Sequence, residues 1–165
     1  MRLTCHPIPS SRLFLGEQAQ APAERFSAVP FGFEAADFKS LREREPAENP
    51  YWPADENLHL VYVGAMLPHG FETLRALFCA VADLRASQPA LGRRIRLHFF
   101  GTTYDPNATE GLVQPVARAM GLSDVVSEHP RRIPYVNALG VLTAADGIVA
   151  LGSTDRHYTA SKIFP

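Results

Sequence analysis

At 165 residues the chain has room for one ordinary domain, or for a domain with an appended arm. Its 46% hydrophobic and 20% charged residues exclude a disordered polymer, and a formal net charge of -1 excludes broad attraction to nucleic acid or an anionic membrane. Two cysteines exclude a disulfide framework, the six histidines show no metal-ligand spacing, and the N-terminus shows neither signal peptide nor membrane span, so a cytoplasmic protein without metal or cofactor is expected.

Residues 1–56 read as an irregular arm. Prolines and short polar clusters break up Thr4–Ser11 and Arg42–Pro53. The brief apolar pieces Arg12–Leu15 and Arg25–Pro30 each read as a short strand too small to bury a core. The charge run Leu41–Glu45 reads as a solvated helical turn. Tyr51 and Trp52, between Pro50 and Pro53, read as an aromatic anchor that pins the linker to the domain surface.

Residues 57–165 follow an α/β plan. The run Leu58–Val63 is rich in residues that pack on a pleated surface, and its lack of polar alternation suits a strand covered on both faces. Gly64 ends it. Phe71, Leu74, Leu77, Phe78, Val81 and Leu84 then recur at helical spacing, and Cys79 within this helix reads as a buried small hydrophobe. A second strand is expected at Arg94–Phe100, stopped by Gly101. A second helix, capped by Thr109, follows through Met120 to Gly121, with Pro115 kinking it or marking its true beginning. A short third strand is expected at Val125–Glu128. Pro134 opens a third helix to Ala145, with Val136, Leu139 and Leu142 on one face, and a fourth strand follows at Ile148–Leu151. The pattern predicts a Rossmann-like parallel sheet with helices on both faces. The sequence stops at Pro165, where a fourth helix would begin, which predicts that the chain is a fragment of a longer enzyme and transfers nothing alone.

Ligands of such sheets bind at the carboxyl ends of the strands. Polar residues gather in the loops there: His69, Thr102, Thr103, Glu128, His129, Arg131, Arg132, Ser153, and Asp155 to Thr159 with Ser161 and Lys162. In the last loop Thr159, Ser161 and Lys162 combine hydroxyls, backbone N–H groups and a cation at a helix start, an arrangement suited to phosphate; plain helix capping by Thr159 or Ser161 accounts equally for those residues singly. Neither a Walker motif nor GxGxxG follows the first strand, against P-loop chemistry and ordinary dinucleotide binding.

From about Ser27 onward the chain resembles the C-terminal, nucleotide-sugar-binding half of GT-B glycosyltransferases of the family 4 type. The similar pieces are Val29–Phe33, Tyr62–Gly64, His69–Gly70, Phe99–Gly101, Arg132–Tyr135, Ala144–Asp146, Gly152–Ser153 and Tyr158–Phe164. His69 stands where the family has a lysine for the donor diphosphate, and Pro165 where an acidic residue often aligns. The resemblance implies a nucleotide diphosphate sugar of UDP or GDP type as donor and an unidentified acceptor. The donor site would comprise Gly64, His69, Thr102, His129, Arg131, Ser153, Tyr158, Thr159, Ser161 and Lys162, with His69 at the pocket mouth near the last loop. The alternatives are a non-catalytic Rossmann-like binding module and a GT-B-type sugar-nucleotide epimerase.

Overall fold

In a computed structural model, which describes residues 34–43 and 49–153, the apolar runs form four strands: β1 (Leu58–Val63), β2 (Ile95–Phe100), β3 (Val126–His129) and β4 (Gly147–Ile148). Every pairing is parallel, in the order β3-β2-β1-β4. Parallel neighbours cannot be joined by a tight turn, so helices carry the connections. One helix, α1 (Ala35–Glu43), precedes β1, and the connections hold α2 (Phe71–Ser87), α3 (Pro89–Gly92), α4 (Gln114–Ala119) and α5 (Tyr135–Ala144). The fold is the expected α/β, Rossmann-like one. The arm strands expected at Arg12–Leu15 and Arg25–Pro30 lie outside the described residues.

Side chains alternate across the strands and divide the core in two. On one face Leu97, Phe99 and Val126 meet Leu74, Phe78 and Val81 of α2 and Ala117 of α4 in one buried cluster. Phe78 and Phe99 are fully buried and meet edge to face, with centroids 6.1 Å apart. Each such side chain contributes about 1.5–3 kcal/mol by leaving water.

The second face is mixed. Val61, Phe100, Val141 of α5 and Trp52 form a smaller apolar cluster. Beside it runs a polar seam. His59 Nδ1 lies 2.9 Å from His98 Nε2, His59 Nε2 lies 3.0 Å from Asp55 Oδ1, and His98 Nδ1 lies 2.7 Å from Oγ of Ser127, its cross-strand neighbour. The Trp52 indole is stacked over both imidazoles, with centroids 5.3 and 4.5 Å away. Trp52 is only 9% exposed, so it is built into this face instead of resting on the domain surface. Further along the chain Tyr135 of α5 donates to Asp37 of α1 at 3.0 Å.

Several expectations need correction. Cys79 is exposed, because the buried stripe of α2 runs through Leu74, Phe78 and Val81 and the residue after Phe78 turns to solvent. The second helix is not capped by Thr109. It begins at Gln114 with Pro115 in its first turn, so the proline marks the true beginning, and Gly121 ends it at φ +69°. The fourth strand is shorter than expected: beyond Ile148 the Val149 N–H still donates to the Val61 carbonyl, but Leu151 leaves the sheet to join the helix-side cluster. Val136 is exposed, whereas Leu139 and Val141 are the buried residues of α5.

Candidate functional site

The strand order places the reversal of winding between β1 and β4. An open parallel sheet has its crevice there, because crossovers on the two sides leave in opposite directions. The loop after β1 first extends the sheet: Gly64 N–H donates to the Phe100 carbonyl at 2.9 Å and Met66 N–H to the Thr102 carbonyl at 2.7 Å. A single 3-10 turn, Pro68–Gly70, then leads into α2. Gly70 backs onto the loop after β4; a Cβ there would sit 3.8 Å from the Gly152 carbonyl and 3.4 Å from the Met66 sulfur. Two distant loops thus meet at the reversal. His69 is exposed on the 3-10 turn, and Ser153 is half-buried beside the meeting point. Tyr158, Thr159, Ser161 and Lys162 lie outside the described residues.

The loops after β2 and β3 are fastened together. Gly101 N–H donates to the His129 carbonyl at 2.9 Å and Thr103 N–H to the Pro130 carbonyl at 3.1 Å. Beyond them opens a cleft of about 500 Å³, lined by residues 103–106 and 129–133. The Arg132 guanidinium lies over the Tyr104 ring, 4.7 Å from its centroid. Arg131 and Arg132 are exposed. At the inner wall the His129 ring stacks on Phe100 at 4.7 Å and takes Tyr51 edge-on at 5.1 Å. Burial lowers its pKa below the ordinary histidine value, so it is neutral at pH 7.

Thr102 and Glu128 do not face this cleft. Thr102 is fully buried and donates to Glu128 Oε1 at 2.5 Å. The same carboxylate accepts the N–H groups of Leu112 at 2.8 Å, Val113 at 3.0 Å and Gln114 at 2.7 Å, and so closes the N-terminus of α4 from a neighbouring strand. Gly111 makes room for it, since a Cβ there would stand 1.8 Å from Glu128 Oε2. Of the ten expected site residues, Gly64 follows the end of β1, His69 and Ser153 adjoin the glycines that meet at the reversal, and His129 and Arg131 line the cleft. The structure buries Thr102 in the fold.

Sequence reading passed over Tyr104, whose ring under Arg132 makes the cleft's only aromatic–cation pair among the described residues, and the imidazoles His59 and His98. The signal for the imidazoles was a histidine within each of two apolar strands. Among the described residues no group of three His, Cys, Asp or Glu side chains is placed to hold a metal, and no helix is long and apolar enough to cross a membrane. No protein-family model matches the chain, and comparison with curated proteins gives no significant match.

Proposed function

We propose that the chain is the donor-binding part of a cytoplasmic glycosyltransferase of GT-B type, taking a UDP- or GDP-type nucleotide sugar at the carboxyl edge of its sheet for transfer to an acceptor. The observation that supports this best is the meeting of the loops after β1 and β4 where the strand order reverses. The start of α2, a helix of 17 residues, brings the positive end of its dipole beside that point, where a diphosphate would sit. The cleft along the same edge supplies a flat ring at Tyr104 and two guanidiniums at Arg131 and Arg132, groups suited to a base and to phosphate oxygens.

The test is a thermal-shift titration with UDP, GDP, their sugars and the free nucleosides. A nucleotide at a hundred times its dissociation constant adds about 2.7 kcal/mol, which for a chain of this size raises the melting temperature by roughly 5–10 °C. We expect one diphosphate to give that shift, the matching nucleoside to give much less, and Arg132→Ala to reduce the response. No shift with any nucleotide rejects the reading.

A further inference from the structure

The polar seam on the second face has a fixed hydrogen-bond direction. The Asp55 carboxylate only accepts, so His59 Nε2 donates to it and His59 Nδ1 is left as an acceptor. His98 Nε2 must then donate to His59 Nδ1, and His98 Nδ1 accepts from the Ser127 hydroxyl. The two rings are nearly coplanar, at 19°, with centroids 5.1 Å apart, as an in-line bond between them requires. Every polar group of the seam is satisfied while both imidazoles are neutral.

We propose that residues 49–57 are an acid-released strap, closed over this face while the His59–His98 pair carries at most one added proton and opened when it takes up a second. The strap grips by its side chains: Trp52 over both imidazoles, Asp55 on His59, and Tyr51 edge-on to Phe100 at 4.8 Å and to His129. At its far end the Arg94 Nε holds the Glu56 carbonyl at 2.7 Å. A first proton is accommodated. On His59 it forms an ion pair with Asp55, and His98 changes tautomer so that Ser127 becomes the acceptor. A second proton has no such place, since every ring nitrogen then carries hydrogen and two cations oppose N–H to N–H across 2.9 Å.

The charges around His98 reinforce this. Arg96 on β2 and His129 on β3 oppose a charge there, as does a protonated His59 on β1, and only Asp55 of the strap favours it. Asp146, before β4, is turned to the His59 backbone N–H at 2.8 Å. Burial first and His59 second hold His98 down to about 4 in the closed state, whereas a released imidazole returns to about 6.5. Asp55 is held at about 2, chiefly by the Asn57 N–H and then by His59, so it stays ionised throughout that range. The released form therefore binds the proton more tightly. Closure is fully stable above about pH 6.5 and weakens as the pH falls towards 4, by up to about tenfold in the closed-to-released ratio per unit. Release also withdraws Tyr51 from His129 and so alters the inner wall of the cleft.

Trp52 is the single tryptophan of the chain and reports the strap directly. Its emission maximum and acrylamide quenching are followed from pH 8 to pH 3 beside the far-UV circular dichroism. We expect the emission to shift to the red, and quenching to rise, at a pH where the circular dichroism is unchanged. His98→Gln, which keeps a donor towards His59 but cannot take the proton, moves the shift down to the pH of global unfolding. Asp55→Asn, which removes the counter-charge of the first proton, moves it up and decides the question if His98→Gln does not fold. A tryptophan transition that coincides with loss of circular dichroism, or a release pH that neither variant moves, overturns the proposal.

Discussion

Replacing Glu128 with alanine is expected to destabilise the chain by about 3–5 kcal/mol, read as a fall in the urea midpoint with little change in slope. Its carboxylate accepts three backbone N–H groups at the start of α4 and the hydroxyl of Thr102. A hydrogen bond to a charged group contributes about 1.5–3 kcal/mol, but the four do not add, because the loop before α4 relaxes into water once the carboxylate is gone. Thr102 has no such escape, being fully buried, and loses its acceptor outright. Gly111→Ala gives an independent check, since its Cβ would stand 1.8 Å from the same oxygen and must displace it. The two substitutions together should cost little more than Glu128→Ala alone. A loss below about 1 kcal/mol for Glu128→Ala would mean that water replaces the carboxylate.

Phe78→Ala is expected to lose a comparable 3–5 kcal/mol for a different reason. Phe78 is fully buried between α2 and the sheet, edge to face with Phe99. Truncation removes the transfer free energy of the ring, the aromatic pair and the contacts of the surrounding Leu74, Val81 and Leu97, and leaves an apolar void that water does not enter. Phe78→Leu fills most of the void and should lose only about 1–1.5 kcal/mol. Equal losses for the two variants would show that the site collapses freely around either side chain.

The fold was legible because burial and periodicity coincide in this sequence. Leu58–Val63 and Ile95–Phe100 are short apolar runs with glycine directly after each, and α2 carries its stripe over four turns. Element ends were less legible where tertiary contacts decide them. Thr109 has the chemistry of a cap, yet the helix starts only at Gln114 and Glu128 takes the N–H groups of residues 112–114 from β3, and no local pattern announces a cap supplied from 14 to 16 residues away. Cys79 misled because its residue type favours burial while its phase on α2 does not. Among the polar residues expected in the loops after the strands, residue type alone did not separate Thr102, which serves the fold, from Arg131, which is exposed. His59 and His98 were hidden by their apolar neighbours, since nothing in either run says that the two rings meet.

Trp52 precedes β1 in the chain, yet the surface that receives it is made of His59 on β1 and of His98 and Phe100 on β2. It has no seat until those strands have paired, and α2 and α3 separate them in sequence. Pairing of distant strands is the slow step in folding of parallel sheets, so the indole docks on the native side of the barrier. Interactions that form after the barrier act on the rate of unfolding and hardly on the rate of folding. Trp52→Ala, which opens a site that water refills and so costs about 2 kcal/mol, should therefore speed unfolding roughly 30-fold and leave refolding unchanged in stopped-flow measurements. Slower refolding in the same proportion would place the docking before the barrier. One aromatic ring on the face of the two central strands thus governs how long a folded chain lasts, while the pairing of β1 with β2 governs how quickly one forms.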